Sequence, residues 1–293
     1  MKVLVTGRSG QLARSLAERA EGRVELVTMG RPELDLEEPG SAANAIAAAR
    51  PDVVINAAAY TAVDEAEDEP ERAMRINAEA AGEVAVAAAK LGVPVIQIST
   101  DYVFDGRGEG GYPEDAPTAP LGVYGRTKLA GEEAVRGANP RHVMVRTAWV
   151  YSPFGRNFVK TMMGAAKVRE VLTVVDDQRG NPSSALDLAD GLLAMVERWR
   201  DVPDLGLSQT YHLAGTGSTS WCGFARAVMA ECAKLGLAAA KVQPIASADW
   251  PTKASRPHNS QLSSEKFVRD FGFVMPPWER SLTAVVARLA KDG

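Results

Sequence analysis

The chain is expected to be an α/β protein built on a doubly wound parallel sheet, with a smaller C-terminal region. Three observations predict this. Short apolar runs alternate with Ala-rich helical segments along the first half of the chain. The runs are continuously apolar, as in strands covered on both faces. The first of them, Lys2-Val3-Leu4-Val5-Thr6, leads straight into a turn containing Gly7 and Gly10.

Each element follows in order. After the glycine turn a helix starts at Gly10. A strand over 24–28 comes next, then a helix from about Gly40, a strand over 52–56 and a long helix over 70–91, where Pro70 suits a first helical turn. A strand over 93–99, a helix over 123–136 and a strand over 142–146 complete at least five parallel strands by residue 150. Beyond that point the rhythm loosens. Turns are expected near 155–158 and 176–182, helices over 185–200 and 222–235, and a last helix from near Trp278. Residues 250–262, rich in Pro, Ser and Asn, read as a loop over the site.

Composition narrows the function classes. Of 293 residues, 46% are hydrophobic, enough for an ample core, and the net charge of −4 without a basic tract argues against a nucleic-acid partner. No apolar run approaches the ~20 residues of a membrane span, and no signal-like segment follows Met1, so a cytoplasmic location without a membrane partner is expected. Cys222 and Cys232 fall about ten residues apart on one predicted helix, too far to bridge, and read as packing residues. His142, His212 and His258 form no ligand-spaced cluster, so no metal is expected.

The chemistry-bearing residues sit at strand ends. A glycine turn between strand and helix lets a dinucleotide diphosphate approach bare backbone N–H groups at the positive end of the helix dipole. Gly7 supplies the turn, Gly10 the close approach, and Ala13 the tight packing of helix on strand. After strand 24–28 come Met29, Gly30 and Arg31, with no carboxylate at the tip; an Arg there can pair with a 2′-phosphate, favouring NADPH with NADH tolerated. Strand 93–99 runs into Ser99, Thr100 and Asp101, which places Thr100 to hydrogen-bond a substrate carbonyl oxygen. Tyr124 and Lys128, four residues apart, share one helix face, and an ammonium beside a phenol is expected to lower its pKa toward that of a general acid.

Together with Asn56 to Asp64, Thr100-Asp101-Tyr102 and Trp149, these residues resemble the extended short-chain dehydrogenase/reductase superfamily, and within it the dTDP-4-dehydrorhamnose reductase family, over nearly the whole chain. The resemblance implies a Rossmann-like dinucleotide-binding domain over 1–150 and a mainly substrate-binding region over 151–293, interleaved with the first. It implies reduction of the C4 ketone of dTDP-4-dehydro-6-deoxy-L-mannose to dTDP-L-rhamnose, a precursor of surface polysaccharide. Thr100, Tyr124 and Lys128 would be catalytic, with Lys128 also bonding the nicotinamide ribose. Gly7, Gly10, Gln11, Leu12, Arg31, Asp35, Leu36, Ala57, Ala58 and Tyr60 would hold the cofactor. Val63, Asp101, Tyr102, Phe104 and Trp149 would surround the sugar, with Asn157, Gln178 and Arg256 toward the nucleotide diphosphate.

Some members of this family bridge a homodimer through a metal-binding Glu just past the cofactor loop; here Arg14 and Ser15 stand in that region, and the nearest acid is Glu18. Two rival readings share the scaffold. A nucleotide-sugar dehydratase or epimerase is one, although dehydration needs an acid pair after the Thr and here Asp101 is followed by Tyr102. The other is a non-catalytic regulatory subunit similar to that of methionine adenosyltransferase.

Overall fold

The computed structural model describes residues 1–292. Its first half is built from β1 (Lys2–Thr6), α1 (Gln11–Arg19), β2 (Glu25–Met29), α2 (Ser41–Ala49), β3 (Val53–Asn56), α3 (Pro70–Met74), α4 (Ala80–Lys90), β4 (Val95–Thr100), α5 (Val123–Ala138) and β5 (His142–Thr147). These five strands join strand Gln209–His212 in one sheet, in the order Gln209–His212, β5, β4, β3, β1, β2, and every neighbouring pair is parallel. The sixth strand was not anticipated, because Gln-Thr-Tyr-His is short and mostly polar. Helix Ala185–Asp201 likewise packs on the main sheet.

Strand alternation divides the core into two layers. Val3, Val5 and Ile55 point to the face covered by α1 and helix Ala185–Asp201, where Leu16, Leu188 and Leu192 pack on them. Leu4 and Val54 point the opposite way, under Ile46 of α2 and Val84 of α4. Chain order reverses between β1 and β3, so the crevice at their carboxyl ends is the place where such a sheet receives a ligand.

A buried polar thread crosses three strands just below that crevice. Thr6 Oγ1 donates to Asn56 Oδ1 at 2.6 Å, Asn56 Nδ2 donates to Gln97 Oε1 at 2.7 Å, and Gln97 Nε2 donates to the Ile98 carbonyl at 3.1 Å. Thr6 also accepts from the Ala58 amide at 3.1 Å, which fixes the path of the chain leaving β3.

The expected single helix over 70–91 is instead α3, a π-helical turn Arg75–Glu79 and α4. The cause is visible at Asn77. Its side chain accepts from the Tyr60 amide at 2.8 Å and donates to the Tyr60 carbonyl and to Thr127 Oγ1, each at 3.1 Å. A widened turn brings that amide to both partners, in keeping with the frequent use of π turns beside functional sites.

The second layer of structure lies past residue 150. Helices Phe158–Ala166, Trp221–Lys234 and Trp278–Asp292 enclose a smaller core with the parallel pair Val171–Val175 and Lys241–Ile245. Cys222 and Cys232 are both buried there as free thiols. Among the described residues, no helix is long and apolar enough to cross a membrane.

Candidate active site

A cleft of about 920 Å³ opens over the carboxyl ends of β1, β3 and β4 and reaches the second lobe. Its floor begins at the glycine turn. Gly7 takes φ +95°, and a Cβ there would lie 3.3 Å from that of Ala58, so both the turn and the close approach to β3 call for glycine. The first turn of α1 has no side-chain cap and no acidic residue, which leaves its amides and dipole directed at the cleft.

The β2 end of the cleft departs from expectation. Two carboxylates do stand beside Arg31, supplied by the loop as it folds back: Arg31 Nε lies 2.9 Å from Asp35 Oδ2, and the guanidinium also pairs with Glu37. Arg72 joins Glu37 from α3 at 2.9 Å, and Arg8 pairs with Glu33 at 3.0 Å. Asp35 is held below the usual carboxylate range by the Glu37 amide and then by Arg31, and Glu37 is held low by Arg72 and Arg31. The tip is thus a mixed-charge cluster. Gly30, Arg31, Asp35 and Leu36 line the cleft, and Arg8 and Ser9 add a wall that sequence reasoning had not picked out.

At the inner end of the cleft, Thr100, Asp101 and Lys128 are buried and Tyr102, Tyr124 and Trp149 are half-buried. Thr100, Asp101, Tyr102, Tyr124, Lys128 and Trp149 converge there from β4, α5 and the turn after β5. A Cβ on Gly125 would lie 2.2 Å from the Tyr102 carbonyl oxygen, so α5 packs directly on the segment carrying Thr100 and Asp101. The Tyr102 and Tyr124 rings meet edge to face with centroids 5.5 Å apart.

Electrostatics at this end correct the expected role of Lys128. Burial pushes the Tyr124 phenol up to about 12, above its ordinary value rather than below it. The ammonium is turned to the Ile98 carbonyl at 2.7 Å instead, and burial pulls Lys128 down to about 8 against the opposing charge of Glu132. A phenol that keeps its proton at neutral pH is still a competent donor. Asp101 is pushed up to about 6 by burial. Thr100 Oγ1 donates to Asp101 Oδ1 at 2.8 Å, so donation to a substrate oxygen requires that hydroxyl to turn away from the carboxylate. Ser99 Oγ, Thr147 Oγ1 and Asp101 Oδ2 are buried along the same wall without a protein partner.

Behind Lys128, Glu132 and Arg146 form a bidentate pair, with both contacts at 2.8 Å and side chains 0% and 4% exposed. Burial pushes Glu132 up, but Arg146 outweighs it and holds the carboxyl below its ordinary range.

An aromatic platform adjoins this end. Trp149 stacks on Trp221 with centroids 3.6 Å apart and planes 6° apart, and its indole N–H donates to Ser260 Oγ at 3.0 Å. Trp149 holds φ +47°, a conformation a bulky residue adopts only when its surroundings impose it. Trp221 had no local signal, since it enters from a helix 72 residues away. Asn157 lines the cleft where its amide donates to Gln11 Oε1 at 3.1 Å, joining the second lobe to the segment after the glycine turn.

Of the remaining anticipated residues, Gly7, Gly10, Gln11, Leu12, Ala57, Ala58 and Val63 line the cleft, whereas Tyr60, Phe104, Gln178 and Arg256 lie outside its walls. Asn77 holds the Tyr60 backbone so that its hydroxyl reaches Glu69 at 2.7 Å. The 3-10 turn Asp101–Val103 sends Phe104 into the core, 0% exposed and stacked on Tyr112. Gln178 is buried in the second lobe, and Arg256 is held by Asp64 at 2.7 Å.

Known proteins share this arrangement. Residues 1–291 match the family model described as the RmlD substrate binding domain. A dTDP-4-dehydrorhamnose reductase of Sinorhizobium fredii is 44% identical over 293 residues, covering 100% of this chain and 99% of the relative. The crystal structure of such a reductase from Clostridium acetobutylicum superposes with a TM-score of 0.89 at 36% identity, covering 99% of each chain. One from Bacillus anthracis, in complex with NADP, gives 0.88 at 35% identity over 98% of this chain and 99% of that one. The likeness runs along the whole length, and the chain belongs to the RmlD substrate binding domain family.

Proposed function

We propose that the protein reduces the C4 ketone of dTDP-4-dehydro-6-deoxy-L-mannose to give dTDP-L-rhamnose, using NADPH in preference to NADH. The observation that carries this reading is that Thr100, Tyr124 and Lys128 share one cleft with the bare amides of α1 and with the Trp149–Trp221 platform. Residues 1–150 hold mainly the dinucleotide and 151–293 mainly the nucleotide sugar. The protein works in the cytoplasm.

The cleft suits a dinucleotide on its own evidence: Gly7 clears space against Ala58, the first turn of α1 is uncapped, and hydroxyls of Ser99 and Thr147 are unpartnered in the wall. When bound, the reduced nicotinamide supplies the hydride. The chain supplies the rest. As the C4–H bond forms and the carbonyl π bond opens, Tyr124 passes its phenolic proton to the oxygen. Lys128 offsets the phenolate charge left behind, and it would also bond the ribose by exchanging its Ile98 contact. Thr100 steadies the oxygen once released from Asp101. Trp149 and Tyr102 shape an apolar wall that excludes water from the reacting carbon.

The direct test mixes pure protein, NADPH and the ketosugar nucleotide and follows loss of the reduced nicotinamide absorbance, with NADH in parallel. Oxidation dependent on both sugar and protein supports the reading; cofactor binding without oxidation sinks it.

Two further outcomes are expected. Arg31→Ala should weaken NADPH by about ten-fold while NADH changes little, because only the former carries a phosphate for the guanidinium. The phosphate must compete with Asp35 and Glu37, and equal losses for both cofactors would make Arg31 a bystander. Second, kcat/KM for NADPH should fall as pH rises through about 8, where Lys128 loses its proton and with it the positive charge that supports the phenolate. A flat profile across that range would show that the Lys128 charge does not matter to the free enzyme.

A further inference from the structure

The helix carrying Tyr124 and Lys128 has no cap of its own. Gly122 precedes it in extended conformation without a side chain, and its first turn holds no acidic residue. A helix start of this kind leaves orphan amides beside the cleft. One of them is nevertheless satisfied from a distance: the Val123 amide, immediately before Tyr124, donates to Glu67 Oε1 at 2.7 Å across 56 residues of sequence.

Glu67 ends the 3-10 turn Glu65–Glu67, and that turn is itself anchored. Asp64, just before it, accepts from the Ala254 amide at 3.1 Å and pairs with Arg256; Asp68, just after it, pairs with Lys253. The carboxylate thus stands on a platform fastened to residues 253–256, and its charge meets the positive end of the helix dipole. Farther along the same helix, Asn77 holds Thr127 and the Tyr102 carbonyl abuts Gly125. Among the described residues, Glu67 is the one side chain that accepts from the Val123 amide, next to the phenol.

We propose that Glu67 is a positioning residue for the proton donor: by capping the Val123 amide it fixes the first turn of α5 and therefore the direction in which the Tyr124 phenol points. The inference rests on the role given to Tyr124 above. A cap that only stabilised the fold would affect every property of the enzyme alike, whereas a positioning cap acts through Tyr124. That difference decides the experiment.

Glu67→Ala and Glu67→Gln are made in the wild-type and in the Tyr124→Phe backgrounds, with kcat, KM for the sugar, NADPH binding and amide hydrogen exchange at Val123 as readouts. In the wild-type background Glu67→Ala should lower kcat roughly ten-fold with KM and NADPH binding little changed, and Val123 exchange should accelerate. Glu67→Gln keeps an acceptor oxygen and should retain most of the turnover. In the Tyr124→Phe background Glu67→Ala should cause no further fall, since the group it aims is gone. An unchanged kcat, or equal losses in the two backgrounds, overturns the proposal. If Glu67→Ala fails to fold, Glu67→Asp, whose carboxylate is one carbon short of the amide, is judged on the same terms. If the wild type does not reduce the sugar, the reaction assigned to the site has failed. Glu67 is then decided by exchange alone, and a Val123 amide that exchanges no faster in the variants removes the cap.

Discussion

Tyr124→Phe should cut turnover by roughly 10²-fold or more while NADPH still binds, which corresponds to a loss of about 2.7 kcal/mol or more of transition-state stabilisation. The substitution is clean because the ring does the packing. Phe retains the edge-to-face contact with Tyr102 and the close seat of α5 on the Thr100–Tyr102 segment. What disappears is only the hydroxyl of a phenol that burial keeps protonated, at about 12. The loss should therefore fall on kcat, with fluorescence titration showing an unaltered cofactor complex. Near-normal turnover would assign the proton to another group, with Asp101, pushed up to about 6 and linked through Thr100, the first to examine.

The second large effect is on stability. Glu132→Ala should destabilise the protein by about 3–5 kcal/mol, read from the midpoint of urea denaturation, because it strands the Arg146 guanidinium in the interior. Both partners are almost fully enclosed, although Arg136, 36% exposed, also reaches Glu132 at 2.7 Å. The cost belongs to the unpaired charge more than to the pair. Replacing both, as Glu132→Leu with Arg146→Met, should accordingly recover much of the loss. A milder consequence reaches the site: Glu132 is the charge that supports the Lys128 ammonium, so the alkaline fall in kcat/KM should move to lower pH in Glu132→Gln. A single substitution costing less than about 1 kcal/mol would mean that the cavity admits water to Arg146.

Much of this architecture was readable in the chain because its signals are local. Largely apolar runs mark β1, β3 and β4, and the spacing of Gly7 and Gly10 marks the start of α1. The four-residue interval between Tyr124 and Lys128 places them on one face whatever surrounds the helix. The failures share a different cause. Whether Arg31 meets carboxylates depends on how the loop to Glu37 folds back, and whether Lys128 lowers the Tyr124 pKa depends on a carbonyl thirty residues away. Tyr60 and Phe104 sit in motifs rich in cleft residues, but a tertiary hydrogen bond and a single 3-10 turn decide which way they face. Trp221 and Glu67 act across long stretches of sequence, so neither could be paired with its partner before the chain was folded.

The polar thread from Thr6 through Asn56 to Gln97 bears on how the sheet is assembled. Parallel strands form from distant parts of the chain and are slow to find one another, and an apolar strand buried on both faces has little to distinguish one alignment from the next. Here Thr6 must lie opposite Asn56, and Asn56 opposite Gln97. A slip of one residue in any of the three strands would leave several amide and hydroxyl groups unsatisfied in the interior, at about 1–3 kcal/mol each. The thread therefore works as a proofreading key, penalising every misaligned pairing of the three strands that floor the cleft.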